Sequence, residues 1–189
     1  MKKALLVVDI QNDFCSGGAL AIPFANDIIK PLNQLMQVAD YDLIVATQDW
    51  HPENHTSFIV NSKNGIWPIH CVQNTYGAEF HPAFNLDKID RIIRKGENPA
   101  IDSYSAFYDN DKISKTELED YLVKNGITYV EIAGLALDYC VKYTAEDALS
   151  LGFNTSILVD YCRAVHSTDS QLLASFNKQI QLKFFREGK

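Results

Sequence analysis

Apolar residues along the chain follow two different periods. Three runs, residues 4–10, 42–47 and 127–133, are nearly continuous and rich in Val, Ile and Leu. A strand covered on both faces has no polar alternation, so these runs predict buried parallel strands. Residues 154–160 predict a fourth strand, 91–94 a short fifth and 180–185 a sixth. Between them the period changes. Leu32, Leu35, Met36 and Ala39 recur at helical spacing, and Pro31 is tolerated if that helix starts near Ile28, where first-turn N–H groups have no partner. Ser114 and Glu117 have capping-box spacing ahead of Leu118, Tyr121 and Leu122, and Asn125-Gly126 closes that helix. Val141, Ala145 and Ala148 line a third helix ended by Gly152, and Leu172, Leu173 and Phe176 a fourth.

Strands alternating with helices at these lengths imply right-handed crossovers. The expected fold is α/β, a three-layer sandwich whose mostly parallel sheet of about six strands carries helices on both faces, formed by residues 1–189 as one domain. Two stretches, 50–82 and 96–112, show no strong pattern. They hold four of the five His and both Trp, a composition that marks functional loops rather than disorder.

Composition narrows the partners. A domain of this size buries roughly 70% of its unfolded surface, so it needs no disulfide or metal to stay folded. The net charge is -7, with no block of Lys or Arg, which argues against nucleic acid and membrane surfaces as partners. Residues 4–8 are too short an apolar run for a signal peptide, and no stretch reaches the roughly 20 apolar residues of a membrane span, so a cytoplasmic location is expected. The four cysteines form no CxxC pair. Each is bland until its surroundings argue otherwise.

Ligands of parallel sheets bind at the carboxyl ends of strands. Asp9, Asp49, Lys95 and Cys140 all fall at such ends. A thiol where a helix starts feels the positive end of the dipole, which favours thiolate; a nearby Lys would favour it further, and a carboxylate could take the proton. Cys140, Asp9 and Lys95 are chemically sufficient for acyl transfer. A second group, Asp49, His51, His55 and His70, offers carboxylate and imidazole donors suited to Zn²⁺ or Fe²⁺. His81 and His166 lack companions and are read as structural.

Several segments taken together resemble one family. Asp9-Ile-Gln-Asn-Asp-Phe14, Asp49-Trp-His-Pro-Glu-Asn-His55-Thr-Ser-Phe58, Trp67-Pro-Ile-His-Cys71, Lys95-Gly96, Tyr104-Ser-Ala-Phe107 and Gly134-Leu-Ala-Leu-Asp-Tyr-Cys140-Val are similar, in order, to the motifs of bacterial nicotinamidases, which are isochorismatase-like cysteine hydrolases. The resemblance implies Cys140 as nucleophile, Asp9 as general base and acid, and Lys95 as the group that holds both. It implies one divalent metal ion, Zn favoured with Fe or Mn as alternatives, bound by Asp49, His51 and His70, with His55 contributing directly or through water. It further implies a cis peptide between Leu135 and Ala136, an oxyanion hole from the backbone N–H groups of Ala136 and Cys140, and a ring-binding wall of Phe14, Trp67, Tyr104 and Tyr139. Position 137 departs from the pattern, with Leu where the family commonly has Thr. The implied reaction converts nicotinamide, and by extension pyrazinamide, to the acid and ammonia through a thioester, as in NAD salvage, with no organic cofactor. Alternatives are a related cysteine hydrolase acting on a carbamoyl compound or other small amide, and a non-catalytic metal-binding sensor. Monomer and homo-oligomer are left open.

Overall fold

The computed structural model describes residues 1–185. Its strands are β1 (Lys3–Val8), β2 (Leu43–Asp49), β3 (Arg91–Lys95), β4 (Tyr129–Leu135), β5 (Asn154–Arg163) and β6 (Gln181–Lys183). They form one sheet in the order β3-β2-β1-β4-β5-β6, with every adjacent pair parallel. The chain moves outward from β1 through β2 to β3, then returns to the other side of β1 for β4, β5 and β6. The reversal lies between β1 and β4, and in such sheets a crevice opens there at the carboxyl ends. Asp9 follows β1 and Cys140 follows β4, so both reach that crevice.

The helices are α1 (Ile29–Val38), α2 (Leu118–Lys124), α3 (Lys142–Ser150) and α4 (Ser170–Ala174). Because β1 to β2 runs in the opposite direction across the sheet from β3 to β4 and β4 to β5, right-handed crossovers put α1 on one face and α2 and α3 on the other. Leu5, Leu6, Val130 and Ile132 are completely enclosed between these layers. Burying each such side chain is worth roughly 1.5–3 kcal/mol, so the two central strands anchor the whole crevice. Among the described residues, no helix is long and apolar enough to cross a membrane.

Element identities follow the apolar pattern, while several boundaries differ for identifiable reasons. β1 ends at Val8, before Asp9 and Ile10, because Asp9 takes a left-handed backbone with φ 52° and leaves the sheet. β2 instead extends to Asp49, which pairs with Lys95 of β3. β5 runs on to Arg163 through a register shift opposite residues 132–134, and β6 is shorter than expected. The capping box at Ser114 and Glu117 does not form. Ser114 Oγ donates to Asp111, Thr116 Oγ1 accepts the Leu118 N–H at 3.1 Å, and Glu117 turns to the Arg91 guanidinium. Phe176 lies beyond α4, and that helix is capped by Asp169, which accepts the Leu172 N–H at 2.9 Å.

Gly134 allows the central strands to meet. Its φ is 121°, and a Cβ there would lie 2.7 Å from the Val8 nitrogen and still closer to the Val8 carbonyl. Neither backbone can yield without opening the β1–β4 ladder. Gly134→Ala is therefore expected to lower stability by at least about 2 kcal/mol in urea-denaturation measurements.

Candidate active site

At the centre of the crevice floor stands one buried cation. Lys95, the last residue of β3, is 1% exposed. Its Nζ lies 3.0 Å from Asp9 Oδ2, donates a short hydrogen bond to Asp49 Oδ1, and is 3.4 Å from Cys140 Sγ. A buried ammonium without anions would shed its proton. Burial alone would lower the Lys95 pKa, but Asp49, Asp9 and Cys140 outweigh it and hold it well above the usual lysine value.

The two carboxylates respond differently to the shared lysine. Burial would raise both. For Asp49 the lysine, His51 and His70 together win, and its carboxyl falls well below the usual range. Asp9 has Lys95 and the Thr47 hydroxyl in its favour but also faces Asp49, and its pKa rises. Asp9 thus accepts a proton far more readily than Asp49 does. Cys140 completes the group: its sulfur and oxygens of Asp9 and Asp49 lie within 4.8 Å of one another.

Cys140 does not sit at the first residue of a regular helix. It is the fourth residue of a π-helical turn, Leu137–Val141, that leads into α3. The expected thiolate is not favoured by the surroundings. Burial pushes the thiol well above its ordinary value, Lys95 draws it down, and Asp9 and Asp49 push it up again. A protonated thiol beside a basic carboxylate is a nucleophile that is activated only when the proton moves. The peptide between Leu135 and Ala136 is cis, and Leu137 is wholly buried beneath the turn.

Next to this group lie Asp49, His51 and His70, the donor atoms of which fall within 4.8 Å of one another. Their tautomers follow from the carbonyls they meet. His51 Nδ1 contacts Gly96 O at 2.9 Å and His70 Nδ1 contacts Pro68 O at 2.8 Å. A carbonyl can only accept, so each Nδ1 carries hydrogen and each Nε2 faces inward. Those Nε2 atoms are 3.6 Å and 4.0 Å from Asp49 Oδ2. Burial lowers the His70 pKa to about 4, leaving a neutral imidazole, whereas at His51 Asp49 outweighs burial and raises the pKa. One carboxylate oxygen and two inward imidazoles held by carbonyls fit a divalent cation.

His55 belongs behind this set. Its Nε2 donates to Ile101 O at 3.1 Å, its Nδ1 accepts from Ser57 Oγ at 2.7 Å, and its ring stacks on His51 with centroids 4.1 Å apart. With both nitrogens engaged it backs the His51 ring and offers no direct donor atom. Gly96 shapes the same corner. Its φ is 68°, and a Cβ would lie 2.6 Å from His51 Nδ1, so only glycine lets this carbonyl approach the ring.

Above the floor a cleft is lined by Phe14, Trp67, Tyr104 and Tyr139, together with Asp49, His51, His70, Ala136 and Cys140. Trp67 meets Tyr139 edge-on at 4.9 Å, and its Nε1 donates to Tyr104 Oη at 3.2 Å. Flat aromatic walls over polar donors suit a small heteroaromatic ring.

An isochorismatase-domain family model matches residues 3–179. The nicotinamidase of Escherichia coli K12 is 44% identical over 87% of this chain and 84% of its own. Among solved structures, an Acinetobacter baumanii nicotinamidase/pyrazinamidase superposes with a TM-score of 0.90 at 40% identity, covering 96% of this chain and 95% of that one. A Pyrococcus horikoshii pyrazinamidase in complex with zinc gives 0.83 at 40% identity, covering 98% and 100%. The chain belongs to the isochorismatase-domain family and groups with its nicotinamidases.

Within this nicotinamidase group, every residue singled out from the motifs lies at or beside the crevice, with His55 displaced from the donor set. Leu20, Ile22, Asp102, Ser103 and Val165 also line the cleft and were not anticipated. Asp102 and Ser103 lie directly before Tyr104, which was the available signal. Leu20, Ile22 and Val165 carried none, because isolated aliphatics read as core.

Two expectations follow. Gly96→Ala would displace the His51 ring and weaken divalent-cation binding by roughly 10–100-fold in chelator-competition titrations, with the fold retained. A thiol held above its ordinary value is protonated at neutral pH. In metal-free protein, alkylation of Cys140 by iodoacetamide should therefore climb about tenfold per pH unit between about pH 6.5 and 8.5; a plateau below about pH 7 would indicate preformed thiolate.

Proposed function

We propose that this chain hydrolyses nicotinamide to nicotinate and ammonia through a thioester on Cys140, with pyrazinamide as a second substrate. One observation carries the reading: a buried Asp9, Lys95 and Cys140 group abuts an Asp49, His51 and His70 donor set on the floor of an aromatic cleft. Zinc is the cation assigned to that donor set, in keeping with the zinc complex of the Pyrococcus pyrazinamidase. When bound it would supply a Lewis-acidic anchor for the ring nitrogen and so orient the substrate.

The residues of the chain perform the remaining steps. Phe14, Trp67, Tyr104 and Tyr139 hold the ring and exclude water. Asp9 takes the Cys140 proton as sulfur attacks the carboxamide carbon. Lys95 stays charged throughout and offsets the negative charge passing between Asp9 and sulfur. The backbone N–H groups of Ala136 and Cys140 receive the developing oxyanion. Asp9 then gives its proton to the departing nitrogen, the C–N bond breaks, and ammonia leaves a nicotinoyl thioester. A water molecule yields one proton to Asp9 and attacks the same carbon; the C–S bond breaks, Asp9 reprotonates the sulfur, and nicotinic acid is released, which gives up its remaining proton to water as nicotinate. A raised Asp9 pKa suits a group that must accept and return a proton twice.

The assignment is of a single-domain enzyme that works in the cytoplasm on a neutral small molecule. A carbamoyl-directed hydrolase would have no use for cation donors facing an aromatic slot, which favours the nicotinamidase reading.

The test is ammonia release from nicotinamide by the purified protein. Activity should be lost on chelation and return with zinc. Cys140→Ala should reduce kcat by at least about a thousandfold, since removing a nucleophile eliminates the covalent route. Full activity in Cys140→Ala, or activity on other amides with none on nicotinamide, would overturn the proposal.

A further inference from the structure

The backbone ladder between β1 and β2 runs from the Ala4–Leu43 pair to the Val7–Ala46 pair. Beyond it the chains part, and the active-site crevice begins. Two side chains take over there, reaching across in opposite senses. From β2, Thr47 Oγ1 accepts the Asp9 N–H at 3.2 Å and donates to Asp9 Oδ1 at 2.6 Å. From the segment after β1, Gln11 Oε1 accepts the Asp49 N–H at 2.8 Å, while Nε2 donates to Asp49 O at 2.8 Å and Ala78 O at 2.8 Å. Both residues are completely buried. Each grips an N–H and an oxygen of the carboxylate residue on the opposite chain.

We propose that Thr47 and Gln11 form a crossed clamp that orients Asp9 and Asp49 independently on either side of Lys95. They are positioning residues for the hydrolysis proposed above, and the inference rests on that reading. Thr47 occupies Asp9 Oδ1, which leaves Oδ2, buried and without an aligned hydrogen bond, 3.0 Å from Lys95 Nζ and free to exchange a proton. Gln11 holds the main chain of Asp49 like a missing strand residue. The Asp49 carboxylate is thereby divided, with Oδ1 on Lys95 and Oδ2 toward His51 and His70. An amide is required at Gln11 because the site needs an acceptor and a donor on one planar group.

The division of labour separates this clamp from mere structural support. Zinc dissociation constants, kcat and KM for nicotinamide, and thermal midpoints are to be measured for Thr47→Val, Gln11→Glu and Asp49→Ala. Thr47→Val should lower kcat about tenfold, with zinc affinity and KM within about twofold of native, because both hydrogen bonds to Asp9 are lost, one of them to its carboxylate. Gln11→Glu, unable to donate, should weaken zinc binding by roughly 10–100-fold. If Gln11→Glu fails to fold, Gln11→Met removes both donated bonds and the one accepted from the Asp49 N–H, at similar volume and without adding charge. Native behaviour in both clamp variants, or kcat and zinc affinity falling together in step with stability, would overturn the clamp while a zinc-deficient Asp49→Ala leaves the underlying reading intact. Native zinc affinity in Asp49→Ala would overturn that reading and the clamp with it.

Discussion

A single buried ammonium between two carboxylates constrains everything around it. Lys95 cannot stay charged in the interior unless Asp9 and Asp49 face it, and neither carboxylate can be buried there without the lysine. Removing one partner from such a group typically costs about 3–5 kcal/mol, because the others remain desolvated and unpaired. The three residues come from the ends of three adjacent strands, β1, β2 and β3. The order of the sheet and the charge balance of the site are therefore one requirement. Asp49 paired with Lys95 in the β2–β3 register makes the link direct.

Sharing one cation unequally gives the two carboxylates different properties. Asp49 lies against the lysine and two imidazoles and stays ionised, as a cation ligand must. Asp9 has a single hydroxyl and the same lysine, and its pKa rises, as befits a proton carrier. Cys140 fits this pattern. Its surroundings hold the thiol pKa above the ordinary value, burial and the two carboxylates outweighing Lys95. Around this core, the Gly96 and Pro68 carbonyls fix the histidine tautomers, and His55 supports His51 from behind.

How much of this was legible varied with the physical origin of each feature. Periodicity marked all six strands because burial on both faces leaves an unmistakable apolar run. It misplaced the ends of β1 and β2, since a left-handed Asp9 and an added Asp49–Lys95 pairing are decided by neighbours distant in sequence. The capping box at Ser114 and Glu117 had the right spacing, yet Arg91 on another element claimed the glutamate. His55, left open as a direct or water-mediated ligand, has both nitrogens engaged, by Ser57 two residues on and by the distant Ile101 carbonyl. At the strand ends and the capping box a local rule lost to a tertiary competitor.

By itself, the sequence determined the alternation of strands and helices and the inventory of reactive groups, together with the motif order that places this chain among the nicotinamidases. Those properties are local, written in side-chain type and spacing. Only the tertiary structure decided how the groups behave. It determined which carboxylate takes up a proton more readily, which histidine nitrogens face inward, and that the thiol's pKa is raised. Much of the charge and hydrogen-bond competition depends on distances between residues far apart in sequence, such as Gln11 and Asp49, 38 positions apart, and Lys95 and Asp49, 46 apart. No pattern along the chain encodes those distances, because they arise only when the strand ends are brought together.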